Sequence, residues 1–338
     1  MTSLTNRQWR LAARPTGMVD DSCFRWTEEP APSVTADGEL VVRNLYLSMD
    51  PTQRGWMSYD TYLPAVAIGE VMRSSSVGRI VESRDPAWAV GDVVMGMFGW
   101  QDYALVKTAT AARLMKLPPG VPIELAMSAL GVTGITAYFG LLDVGKPKAG
   151  ETVVVSGAAG ATGSVAGQIA RIQGCRAIGI AGGRDKCDWL VKQAHFDAAI
   201  DYKREDVGAR LKELCPKGID VYFDNVGGDT LDTALANLAM RGRVVLCGAI
   251  STYNDAQLRP GPKNYLNLLL KRGRMEGFIV LDYLPRAMEA VMPLWQWVQE
   301  GKIAYRVDVQ HGLENAPKTL LRLFEGQNQG KQLLEIAE

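Results

Sequence analysis

Residues 151–174 read ETVVVSGAAGATGSVAGQIARIQG, and they constrain the fold more tightly than any other stretch of the chain. An apolar, β-branched run at 152–155 meets a turn of small residues, and an amphipathic segment follows at 164–172. That order reads as strand, tight turn, helix. The dinucleotide fingerprint is present with one substitution, since Ala158, Gly160 and Gly163 occupy its three glycine positions. Gly160 lets backbone approach a pyrophosphate, and Gly163 lets the helix pack close to the strand. Ala161 and Thr162 lie between them, where a helix N-terminus presents unpaired N–H groups and a positive dipole end to phosphates. A tight packing turn uses the same residues, but the flanking strand and helix favour the nucleotide reading.

From this point the pattern alternates regularly. Strand-like runs fall at 152–155, 176–181, 198–202, 221–226, 244–247 and 275–280. Helical segments fall between them, near 164–173, 185–194, 204–214, 229–239 and 263–271, with another at 285–300. Such alternation predicts a parallel six-stranded, doubly wound α/β sheet covered on both faces, a Rossmann domain. Residues 1–125 differ. Their strand-like runs (39–46, 76–82, 93–97, 103–107) are broken by Pro30, Pro32, Gly69, Pro86, Gly91, Pro118 and Pro119, which predicts an antiparallel, barrel-like domain. The last segment drops the alternation, and 305–309 is expected to return to the first domain as a strand. The expected division is 1–125 with 303–338 for the barrel domain and 126–302 for the Rossmann domain.

Composition removes several classes of function. Lys plus Arg and Asp plus Glu are 37 each, so no net field favours nucleic acid or an anionic membrane. No run approaches the roughly 18 apolar residues of a membrane span, and MTSLTNRQWRLAARP lacks a signal-peptide core. The five cysteines (23, 175, 187, 215, 247) form no CxxC pair, so free thiols in the cytoplasm are expected. His195 and His311 are the only histidines, and both read as structural. With the cysteines scattered, no set of about three zinc ligands is assembled.

The order of modules and several phrases resemble the medium-chain dehydrogenase/reductase superfamily over nearly the whole chain. The phrases are MDPTQRGWM (49–57), YLPAVAIGEVM (62–72), GVTGITAYFGLL (131–142), SGAAGATGSVAGQIA (156–170), DNVGG (224–228), CGAISTYN (247–254) and GQNQGK (326–331). CGAISTYN above all is similar to the zinc-independent branch of prostaglandin reductases, curcumin reductases and plant double-bond reductases. The resemblance implies a GroES-like β-barrel domain plus a Rossmann domain, with the active site in the cleft between them. It also implies NADPH-dependent reduction of the carbon–carbon double bond of α,β-unsaturated ketones or aldehydes. Where zinc-dependent relatives carry a Cys and a Gly-His-Glu, this chain has MDPTQR and Ile68-Gly69-Glu70, and the four-cysteine structural lobe is missing.

Cofactor choice has its own physical argument. An NAD site places Asp or Glu about 20 residues past the glycines, against the ribose 2′-hydroxyl. Here the second strand ends at Gly182 and Gly183, and Arg184 and Lys186 follow, able to pair with a 2′-phosphate or to stand as solvated surface. By resemblance Lys186 and Tyr202 are 2′-phosphate ligands, which favours NADPH. Without a metal, a hydrogen-bond donor must polarise the substrate carbonyl. Tyr253 is the best candidate, because it follows the fifth strand at the carboxyl ends of the sheet, where ligands of such sheets bind. The resemblance places the rest of its loop (Cys247, Gly248, Ala249, Ile250, Ser251, Thr252) against the cofactor, together with Asn225, the segment Phe278, Ile279 and Val280, and Asn328. Tyr62 matches a substrate-side tyrosine. Thr52 stands where the family commonly has an aromatic residue, so substrate contacts near this loop are expected to differ. Arg54 either neutralises Asp50 or braces the loop. Branch members and this superfamily's Rossmann domains also imply a homodimer paired through the edge strand at 275–280. The alternatives are a quinone reductase on the same body and a nucleotide-binding protein without turnover.

Overall fold

The computed structural model describes residues 4–111, 114–257 and 259–337. Residues 1–3 of the N-terminal segment read above therefore lie outside the described residues. The chain opens on an antiparallel hairpin of β1 (Thr5–Leu11) and β2 (Phe24–Pro30), with Trp9 opposite Trp26 and their rings 5.1 Å apart. This hairpin was not expected. In β1 the inward positions Asn6 and Gln8 are polar, and both are bonded to Gln101, so the strand lacks an apolar alternation.

The barrel sheet follows: β3 (Glu39–Ser48), the short helix α1 (Gln53–Trp56), β4 (Ser76–Ser83), β5 (Val93–Gly96), β6 (Tyr103–Lys107) and β7 (Met115–Lys116). These strands pair antiparallel, with β6 beside β3 on the other edge of its ladder. Leu40, Val42, Ile80, Val94 and Phe98 fill one core, and Leu11, Leu47, Met49, Met57, Met72 and Trp100 another. The helices α2 (Ile123–Met127) and α3 (Val132–Phe139) lead into the second sheet.

That sheet alternates as expected: β8 (Thr152–Ser156), α4 (Ala161–Ile172), β9 (Arg176–Ala181), α5 (Arg184–Lys192), β10 (Ala198–Asp201), α6 (Val207–Leu214), β11 (Ile219–Asp224), α7 (Gly228–Ala236), β12 (Leu238–Leu246), α8 (Leu266–Lys271) and β13 (Arg274–Gly277). The order β10-β9-β8-β11-β12-β13 is entirely parallel. The order reverses between β8 and β11, the switch point outside whose carboxyl ends ligands of such sheets bind. Two boundaries need correction. The fifth strand starts at Leu238 rather than 244, its early half hidden in sequence by Arg241 and Gly242. The sixth stops at Gly277, so Ile279 and Val280 turn off the sheet into a 3-10 segment, Val280–Arg286. Helix α9 (Ala287–Gln299) then covers the core.

The returning chain adds two strands to the barrel sheet, where one was expected. β14 (Val307–His311) pairs parallel with β15 (Lys331–Glu335), and β15 joins β3. Helix α10 (Ala316–Phe324) connects them. On the way, Gly330 bridges to Gly160 in the glycine turn. Gly330 has φ +80°, and a Cβ there would lie 2.1 Å from the Arg306 carbonyl oxygen. Gly330→Ala is therefore expected to lower stability by about 1–3 kcal/mol, from the left-handed backbone and the backbone clash together. Urea denaturation checks this, and an unchanged midpoint would contradict the tight crossing.

Candidate active site

The turn between β8 and α4 is shaped for close approach. A Cβ at Gly163 would lie 2.4 Å from the Gly157 carbonyl oxygen and 2.9 Å from the Ala158 Cα, so no larger residue fits. Gly160 is the N-cap, and Ser164 donates to its carbonyl as the first intrahelical bond. The amides of Ala161, Thr162 and Gly163, in the first turn of α4 after the carboxyl end of β8, are left without helical partners, a fit for a pyrophosphate.

Next to this turn lies a buried polar group that sequence reasoning missed. Asp224, fully buried, accepts from Ser156 Oγ (2.8 Å), Tyr222 OH (3.1 Å) and the amides of Val226 (3.1 Å) and Gly227 (3.0 Å). Burial raises its carboxyl above the ordinary range, opposed by these bonds. Asn225 is fixed in turn, donating its amide N–H to Ser156 Oγ (2.9 Å) and Nδ2 to the Ser156 carbonyl (2.7 Å). The only sequence signal was the position of Asp224 in DNVGG at a strand tip.

The three residues expected at a 2′-phosphate lie on α5 and just past β10. Arg184 opens α5 behind Gly183, and the Tyr202 ring lies over Gly182, where a Cβ would be 2.8 Å from it. Lys186 Nζ donates to the Gly326 carbonyl at 2.8 Å, reaching the C-terminal segment. Burial lowers its pKa, with a smaller contribution from Lys203. Asp201, unnoticed in the sequence, accepts from the Gly183 amide at 2.7 Å and shapes this turn from the neighbouring strand.

The loop after β12 is laced to the DNVGG segment. The amides of Cys247 and Gly248 donate to the Asp224 carbonyl, Ile250 to Asn225, and Ser251 to Val226 through both its amide and its Oγ. Thr252 Oγ1 donates back to Ala249 at 2.9 Å. The Tyr253 hydroxyl accepts the Ala249 amide proton at 3.1 Å. Burial raises its pKa, opposed by that amide, and the neighbouring phenols of Tyr62 and Tyr59 raise it further. The Cys247 thiol is pushed up to about 12 by burial and stays protonated. Phe278 turns inward, packing on Tyr283 with ring centroids 6.2 Å apart, and Val280 joins the same core.

The barrel side supplies Thr52 and Tyr62, whose hydroxyls are 2.7 Å apart, with the Tyr62 ring edge-on to Trp56. Tyr59, which the sequence did not single out, is 61% exposed beside them. Arg54 does not reach Asp50. Instead Asp50 pairs with Lys331, buried to 2% exposure, at 2.6 Å, and Arg54 braces the loop. Asn328 donates to the Gly330 carbonyl at 2.8 Å, inside the crossing segment. His195 sits at a helix-to-strand turn, and His311 pairs with Glu335 at 2.9 Å. Among the described residues no group of three or more His, Cys, Asp or Glu could hold a metal ion.

The chain matches two family models, an N-terminal domain of oxidoreductase over residues 7–116 and a zinc-binding dehydrogenase over 161–297. It is 42% identical to the NADPH-dependent curcumin reductase of Escherichia coli (strain K12), covering 98% of this chain and 97% of that protein. It is 43% identical to the 2-alkenal reductase (NADP(+)-dependent) of Nicotiana tabacum, covering 88% of each. The crystal structure of CurA in complex with NADPH from Vibrio vulnificus superposes with a TM-score of 0.92 at 41% identity, covering 98% of this chain and 99% of that one. The chain belongs to the medium-chain dehydrogenase/reductase superfamily, in the branch of the prostaglandin and curcumin reductases.

Proposed function

We propose that this chain reduces the carbon–carbon double bond of α,β-unsaturated ketones or aldehydes with NADPH, and that Tyr253 donates the hydrogen bond that polarises the substrate carbonyl. The observation that carries the assignment is the Tyr253 hydroxyl: on a half-buried side chain, at the carboxyl ends of the strands, with the Ala249 amide on its oxygen. That amide occupies a lone pair and leaves the O–H proton free to donate. NADPH, when bound, supplies a hydride to the β-carbon. Negative charge then collects on the carbonyl oxygen as an enolate, and a donor aimed there binds the transition state more tightly than the ground state.

The amides of Ala161, Thr162 and Gly163 would hold the pyrophosphate, with Gly160 allowing its close approach and Asn225, Asn328 and residues 247–253 along the rest of the cofactor. Lys186 has three N–H donors and spends one on Gly326, so two remain for a 2′-phosphate beside Arg184 and Tyr202. Ile279 and the packed Phe278 and Val280 would back the nicotinamide end. Tyr62 and Thr52 would meet the substrate. We place the division between the two units at 125/126 and 302/303, a reading supported by the separate sheets. The five free cysteines support a reducing, cytoplasmic setting. Among the described residues no helix is long and apolar enough to cross a membrane.

A second copy of the chain is proposed to cover the open edge. Among the described residues β13 pairs only with β12, and Leu266, Leu269 and Leu270 of α8 stand exposed near it at 55%, 74% and 64%. Light scattering at micromolar concentration should give twice the 36.8 kDa chain mass, and a single-chain mass would contradict the pairing.

Lys186→Met should raise the Kd for NADPH about 10-fold or more, the worth of a charge-assisted contact, and leave NADH binding unchanged. Fluorescence titration checks this, and equal effects on both cofactors would refute the contact. Tyr253→Phe keeps the ring but deletes the donor, so turnover should fall roughly 10-fold or more with little change in NADPH affinity. The donor is the neutral phenol, and its pKa lies above the ordinary value of 10.0. Wild-type turnover should therefore show no alkaline loss from this group below about pH 10 and decline only above it. A Phe variant with full turnover would reduce Tyr253 to a wall of the pocket.

A further inference from the structure

Arg54 is 4% exposed and has no carboxylate partner among the described residues. Its Nε donates to Asn254 Oδ1 at 3.0 Å, Nη2 to the carbonyls of Gly17 (2.9 Å) and Pro15 (3.2 Å), and Nη1 to Ser58 Oγ. Burial lowers the guanidinium pKa, yet a group with so high an ordinary value stays charged. A buried cation answered only by neutral oxygens is costly, so the arrangement calls for a function other than stability. These acceptors come from three places: the segment after β1, the α1 loop, and the residue next to Tyr253. The bond to Asn254 crosses the cleft from the barrel side to the Rossmann side.

The two ends of the Tyr253 loop are held differently. Before Tyr253, the bonds of Ile250 and Ser251 tie the loop to Asn225 and Val226 of its own sheet. After Tyr253, Asn254 is held by Arg54 and approached by Gly17, whose Cβ position lies 4.0 Å from the Asn254 carbonyl oxygen. The phenol thus stands between an anchor on each wall of the cleft. We infer that Arg54 is a positioning residue for Tyr253: through Asn254 it fixes the loop so that the phenol is aimed at the substrate oxygen when the two sides of the cleft are closed together. Only the planar guanidinium fork spans these acceptors at once; a lysine carries the charge to one point. This inference rests on Tyr253 being the donor.

A double-mutant cycle tests it, read as the single-turnover rate of enone reduction with saturating NADPH. Asn254→Ala removes the acceptor and leaves the other Arg54 bonds in place. It should lower the rate about 5–20-fold, since small misplacements of a catalytic group are costly, with NADPH affinity and Tm little changed. In a Tyr253→Phe background the same change should cost less than about 2-fold, because no donor is left to misplace. Arg54→Lys should reproduce the loss and be non-additive with Asn254→Ala. An equal loss in both backgrounds, or no loss from Asn254→Ala, overturns the positioning role while leaving the donor assignment intact. A full rate in Tyr253→Phe alone overturns the donor assignment itself.

Discussion

The structure depends on one crossing. The chain leaves the barrel, builds the parallel sheet, and returns over the glycine turn through residues 326–331, where Gly330 bridges to Gly160. Several contacts lock that passage. Lys186 holds the Gly326 carbonyl, the Asp308 carboxylate accepts the Gln329 amide while pairing with Arg322, and Lys331 reaches the Asp50 carboxylate of the barrel loop. Gln168 of α4 adds a reciprocal pair with the Ala304 backbone, donating at 2.9 Å and accepting at 2.7 Å. The turn proposed to hold the cofactor, Asn328, and the loop that carries Thr52 are therefore parts of one connected assembly.

Two buried cations flank this assembly, and they are satisfied in opposite ways. Lys331 has a carboxylate at 2.6 Å and a backbone carbonyl at 3.2 Å, the paired arrangement that buried charge requires. Arg54 has only carbonyls, a hydroxyl and an amide oxygen. An ion pair fixes one point, whereas a fork saturated by neutral oxygens fixes several chain segments at once. The first suits a loop that must stay folded within one domain. The second suits a junction where two walls of a cleft meet around a donor.

Much of the fold was legible because it rests on periodicity. The apolar runs at 152–155 and 176–181 are buried on both faces past their first residues, so they read as strands without help from context, and the glycine turn has a steric reason at Gly163. The N-terminal hairpin was not legible, since Asn6 and Gln8 are buried and both donate to Gln101 Oε1 rather than making an apolar row. The start of β12 was masked by Arg241, whose φ of +62° marks an irregular strand. At the site, side chains close in sequence to a motif could be named, including Tyr253, Lys186 and Asn225. Partnerships made across long separations could not. Asp50 with Lys331, Arg54 with Asn254, and Ser156 with Asp224 depend on how the sheets are assembled, which no local pattern encodes.

The most direct test of the account is the destination of the hydride. Reduction of a simple conjugated enone with NADPH deuterated at the transferring position, followed by NMR of the product, locates the new C–D bond. A saturated ketone with deuterium on the β-carbon and its carbonyl intact is the predicted result. Deuterium on the former carbonyl carbon, as in an allylic alcohol, or turnover confined to quinones, would contradict it.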